Sequence, residues 1–119
     1  MYAISTPLLY ASESPKTTLN EEQRTIRDRI LEKAEEEGLD GQLLARIAYC
    51  ESKYQMKWNY MHNIDPDYYT AYGVFQVIKG HEETYGISRM DLEGNLEIAF
   101  LLFRDKNVQP WILSESCWL

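Results

Sequence analysis

The sequence predicts a mainly α-helical domain with little or no sheet. Three segments repeat apolar residues at helical spacing behind a polar capping residue, at Asn20, Asp40 and Asp91. Glycines stand where two helical segments should stop, at Gly38 and Gly86. Between Tyr54 and Tyr72 the chain shows neither a helical stripe nor a long strand.

The first helix opens at Asn20, with Gln23 as its capping-box partner and Glu21 and Glu22 in the first turn. Ile26, Ile30, Leu31 and Ala34 make its apolar stripe. The run Glu35-Glu36-Glu37 opposes the helix dipole, so this end is expected to fray, and the run reads as a solvated face. The second helix begins behind Asp40, where Leu39 and Leu44 suit a hydrophobic staple. Gly80 to Tyr85 suits a short helix stopped by Gly86. Asp91 caps the third main helix, whose Leu92, Leu96, Ala99 and Phe103 are flanked by Ile98, Phe100 and Leu102. Apolar on most sides, it is the expected central buried helix. Pro110 precedes a final short segment holding Trp111, Cys117 and Trp118. Residues 1–18 have no clear periodicity and are expected to be an extended segment or linker, leaving 19–119 as the domain. No Lys or Arg precedes the apolar stretch there, and Ser5, Thr6 and Pro7 interrupt it, so it makes a poor secretory signal.

With 119 residues the chain can bury one modest core. A hydrophobic share of 45% and a charged share of 26% suit a soluble globular domain. The net charge of −7 argues against nucleic-acid binding, and against docking on an anionic membrane or wall polymer by charge alone. No apolar run approaches the ~20 residues of a membrane span. Cys50 and Cys117, like His62 and His81, fall in no metal-ligand spacing, so no metal is expected. There is no glycine-rich phosphate loop and no base placed beside Ser52, and no cofactor is implied.

Against this background one residue stands out. At roughly 100° per residue, Leu44, Ile47, Ala48 and Glu51 share one face of the second helix. Burying a carboxylate is costly, so a carboxyl on such a face tends to keep its proton near neutral pH, as a general acid must. A helix end at which Glu51 simply reaches solvent is the plainer reading of the helix alone.

The irregular segment beyond it holds Tyr54, Trp58, Tyr60, Tyr68, Tyr69 and Tyr72, candidate platforms for the flat faces of sugar rings or a roof over a small core. Asn63-Ile64-Asp65-Pro66-Asp67 is turn chemistry. In Ala71-Tyr72-Gly73-Val74-Phe75-Gln76-Val77, Gly73 suggests close backbone approach or an unusual φ/ψ. Gln76, semi-buried between Phe75 and Val77, needs hydrogen-bond partners that a ligand amide or hydroxyl can supply.

Glu51-Ser52, a loop, Ala71-x-Gly73-Val74-Phe75-Gln76, and then Asn95 on a helix together resemble the lysozyme-like lytic transglycosylase domain. That superfamily includes soluble lytic transglycosylases, goose-type lysozymes and resuscitation-promoting factors. The resemblance covers roughly Asp40 to Phe103. Either motif alone is weak, but the two in this order and spacing are fairly specific. The resemblance implies a lysozyme-like helical fold with a glycan groove and Glu51 as catalytic acid. It makes Ser52 the support of that Glu, Gln76 the groove glutamine beside Gly73 and Phe75, and Asn95 the asparagine opening the next helix. Tyr60, Tyr69 and Tyr72 are expected to join these as substrate-binding residues. The ending Trp111 to Trp118, with Cys50 just before the Glu, looks like small secreted bacterial members of the superfamily. That likeness, with the even cysteine count, implies a Cys50–Cys117 disulfide and a secreted or cell-envelope location. The Ala-Tyr-Asn-Gly-like stretch that many lytic transglycosylases carry after the last helix has no counterpart here.

The implied activity is cleavage of β-1,4 bonds in peptidoglycan by a single Glu, with the sugar's own 6-hydroxyl attacking to leave anhydromuramoyl ends. The implied partners are peptidoglycan or aminosugar oligomers, met by a monomer. Two alternatives stay open. One is a hydrolytic lysozyme with Asp65 or Asp67 as second carboxylate, although turn formation is the commoner use of such aspartates. The other is a catalytically idle glycan-binding or adaptor module of the cell envelope. A helical protein-interaction domain unrelated to glycans would leave the pairing of the two motifs unexplained.

Overall fold

The computed structural model describes residues 18–59 and 71–119. Tyr60, His62, Asp65, Asp67, Tyr68, Tyr69 and the segment 1–17 lie outside the described residues. The architecture is mainly α, in keeping with the predicted class. It comprises α1 (Glu21–Glu37), α2 (Gly41–Ser52), α3 (Lys79–Tyr85), α4 (Leu92–Lys106), a 3-10 helix (Gln109–Ser114) and α5 (Glu115–Trp118). Among the described residues there is no strand, only isolated antiparallel bridges that join Trp58 to Tyr72 and Tyr72 to Val77.

The helix starts follow their caps. The Asn20 side chain accepts from Gln23 N at 2.7 Å while Asn20 N donates to Gln23 Oε1 at 2.8 Å, a full capping box. Asp40 accepts from Leu43 N at 3.1 Å, and Asp91 from Gly94 N at 2.8 Å. Leu39 and Leu44 both join the core, as a staple requires.

The end of α1 departs from the expected fraying. The helix runs to Glu37 and closes on Gly38 in the left-handed conformation (φ 70°). Glu37 is not a free charge, since it pairs with Lys33 at 2.7 Å and with Arg104 of α4 at 2.9 Å. Lys33 is buried, reaches Glu97 at 2.5 Å and lies 5.2 Å from the centroid of the Phe100 ring. Burial pulls the Lys33 pKa down, but hydrogen bonds to Glu37 and Glu97 outweigh it and hold the ammonium charged. Arg29 grips Glu93 through two bonds of 2.9 Å. A seam of ion pairs thus joins α1 to α4, which local sequence pattern does not reveal.

The core gathers around α4. Leu96, Ile98, Ala99 and Phe100 have no exposed surface, and Ile30 of α1, Leu44, Ile47 and Ala48 of α2, and Phe75 are equally enclosed. Trp111 and Trp118 close the core from the C-terminal side. The predicted bond between Cys50 and Cys117 is present and spans 67 residues. It fixes the C-terminal segment to the helix turn that carries Glu51.

Candidate functional site

The site is built where α2 stops. Lys53 (φ 56°) and Tyr54 (φ 60°) follow Ser52 in the left-handed region, which non-glycine residues occupy only at a cost. This reversal brings Gln55 N to within 3.1 Å of Ser52 Oγ. Ser52 Oγ lies 2.8 Å from the carbonyl of Val74 and 3.2 Å from that of Ala48, the two acceptors for its proton. Through Ser52 the end of α2 is tied to the turn at Tyr72–Val77.

That turn is closed by Tyr72 N to Val77 O at 3.0 Å and Val77 N to Tyr72 O at 2.9 Å. Gly73 has φ 87°, and a Cβ there would stand 2.6 Å from Asn95 Cγ, so both its conformation and its neighbour demand glycine. The Asn95 amide is fully used. Its Oδ1 accepts from Phe75 N at 3.0 Å, and its Nδ2 donates to Tyr72 O at 2.9 Å and Arg89 O at 3.0 Å. Trp111 Nε1 donates to Phe75 O at 3.0 Å. Side chains from α2, α4 and the 3-10 helix therefore hold one turn through its own backbone groups, which leaves it little freedom.

These contacts reassign three expected substrate contacts. Ser52 is 1% exposed and Phe75 and Asn95 are 0% exposed, so their side chains offer a ligand no surface. Ser52 and Asn95 are bound to backbone, and Phe75 packs edge-on to Phe100 and against Trp111. All three position the turn. Gly73 is buried with them.

Tyr72 and Gln76 are the members of the expected set with partly open surface among the described residues. The Tyr72 ring lies 4.5 Å from that of Trp58, tilted by 51°. The Arg89 guanidinium stands 5.6 Å from the Trp58 ring and is held by Glu82 at 2.5 Å. Gln76 takes φ 53°, and its Nε2 donates to Lys57 O at 3.0 Å and Gly73 O at 2.9 Å. Both partners are carbonyls, which fixes the amide orientation. Its donors are therefore spent within the chain, and Oε1 is the acceptor that these two bonds leave over.

Glu51 is half-buried at the end of the face formed by Leu44, Ile47 and Ala48. Ser114, at the end of the 3-10 helix, donates its hydroxyl to Glu51 Oε2 at 2.5 Å. Burial pushes the carboxyl pKa above the ordinary range, and the Ser114 bond only partly opposes this. The arrangement sets a carboxyl of raised pKa beside a pinned turn. Ser114, Trp111 and Arg89 join the site from outside the expected set. The only local hint was Pro110 followed by Trp111, which suits a tight helical start.

Among the described residues, no group of three or more His, Cys, Asp or Glu side chains could hold a metal ion. No helix there is long and apolar enough to cross a membrane.

Fold and site together define a disulfide-tied, mainly α-helical domain that presents one half-buried carboxyl beside a pinned turn. Comparison with protein-family models, with curated proteins and with solved structures finds no match to this chain.

Proposed function

We propose that the chain cleaves β-1,4 glycosidic bonds between aminosugars in peptidoglycan, with Glu51 as its acid and base, at the cell envelope or outside the cell. The observation that carries this reading is the half-buried Glu51, held above its ordinary pKa by burial and oriented by Ser114. Further support comes from the adjoining turn, whose Gln76 Oε1 can accept from a sugar hydroxyl or acetamido N–H, and from the Trp58–Tyr72 ring pair. The disulfide suits an oxidising compartment.

In this reading Glu51 gives its proton to the bridging oxygen as the anomeric C–O bond breaks, and the bond pair leaves with that oxygen. The 6-hydroxyl of the same sugar then bonds to the anomeric carbon and returns its proton to the Glu51 carboxylate. No water is consumed and the enzyme ends as it began. The attacking hydroxyl is already in place, so the step gains from proximity. Digestion of purified peptidoglycan followed by mass spectrometry is the test. Fragments should end in 1,6-anhydromuramoyl groups. Fragments that each carry one added water would instead assign hydrolysis and call for a second carboxylate, while an undigested polymer would favour a binding module.

A further inference from the structure

We propose that Ser114 is a positioning residue for Glu51: by claiming Oε2 it makes Oε1 the oxygen that exchanges a proton with the ligand. The inference rests on the glycosidase reading of Glu51 and adds to it a division of labour between the two carboxyl oxygens.

Ser114 Oγ has one proton and three polar neighbours: Glu51 Oε2 at 2.5 Å, Trp111 O at 3.0 Å and Trp118 Nε1 at 3.1 Å. The indole N–H can only donate, so it takes a lone pair on Oγ. The hydroxyl proton is then shared between the Glu51 carboxyl and the Trp111 carbonyl. An ionised carboxylate is the stronger acceptor, and a hydrogen bond to it is shorter and stronger than one to a neutral carbonyl. With Glu51 protonated on Oε1, Oε2 is the carbonyl oxygen and still accepts. The Ser114 bond therefore persists through proton transfer and strengthens as the proton leaves. An interaction that grows along the reaction lowers the barrier, whereas one of constant strength does not.

The rest of the structure holds this hydroxyl in place. Trp111 is buried against Phe75 and gives its indole N–H to Phe75 O, which fixes the turn of 3-10 helix that ends in Ser114. Cys50, the residue before Glu51, is bonded to Cys117, three residues past Ser114. The two partners of the short bond are thereby tethered to each other. Among the described residues, burial and Ser114 are the influences on Glu51 ionisation.

The test compares the oxidised wild-type chain with Ser114→Ala and Ser114→Thr. Two readouts are taken: the carboxyl of Glu51 followed by ¹³C NMR against pH, and kcat and KM on peptidoglycan. Ser114→Ala should raise the titration midpoint of Glu51 and lower kcat by about 10- to 100-fold with little change in KM, as loss of a hydrogen bond to a charged group implies. Ser114→Thr keeps the hydroxyl and should restore both. An unchanged Glu51 midpoint in a folded Ser114→Ala protein would overturn the proposal. A raised midpoint in Ser114→Ala, with no cleavage by the wild-type chain, would sink the glycosidase reading and the proton-delivery half of this proposal with it. The hold of Ser114 on Glu51 would then stand alone.

Discussion

Replacing Glu51 with Gln should leave a folded protein that has lost about 10²–10⁴-fold in glycan cleavage, the usual worth of a positioned general acid. The amide keeps the shape of the carboxyl, and its oxygen can still accept from Ser114, so packing around Ser52 and Trp111 should survive. The same substitution should raise thermal stability at neutral pH. Burial lifts the folded-state pKa of Glu51 above its unfolded value. Below the unfolded value both states are protonated and ionisation costs nothing. As pH rises through the folded pKa, the native carboxylate must ionise in its half-buried position, and stability is lost. The difference in melting temperature between Glu51→Gln and wild type should therefore be near zero in acid and grow through that pH window. Calorimetry across pH, with cleavage assays on the same preparations, checks both halves. Near-wild-type cleavage by the folded variant would end the proposed role.

The second large effect belongs to the Cys50–Cys117 bond. Opening a cross-link across 67 residues should cost roughly 4 kcal/mol by the chain-entropy account. That is a large share of the ~5–15 kcal/mol that stabilises a typical domain. The paired Cys50→Ser and Cys117→Ser substitutions should shift the denaturant midpoint well below that of the oxidised protein. Activity should fall further than the folded fraction does, because the bond also holds Ser114 against Glu51. An unchanged midpoint would show that Trp111 and Trp118 suffice to seat the C-terminal segment by packing alone.

What could be read in the sequence was what depends on near neighbours. Asn20, Asp40 and Asp91 announce helix starts because a cap acts over three residues, and Gly38 announces a stop because it alone takes φ 70° freely. The stripe of Leu44, Ile47 and Ala48 located Glu51 on the buried face for the same reason. What could not be read was partnership across distance. Glu35 and Glu36 of the acidic run are exposed, as the sequence suggests, but Glu37 is drawn to Arg104 of α4 and Lys33 to Glu97, pairings that only the fold supplies. The motif resemblance places Ser52, Phe75 and Asn95 among the groove residues. The fold spends them on the Tyr72–Val77 turn instead. Ser114 meets Glu51 from 63 residues away, and nothing in its own neighbourhood announces it.

The central claim is that one carboxyl, its pKa raised by burial, serves as the acid. The measurement that bears on it most directly is the titration of the Glu51 carboxyl in the intact oxidised protein, set beside the pH dependence of kcat/KM on peptidoglycan. The account predicts a midpoint above the ordinary carboxyl range, coincident with the fall of kcat/KM on the alkaline side. A Glu51 that titrates at the ordinary value, or a rate that stays level as Glu51 loses its proton, would contradict it.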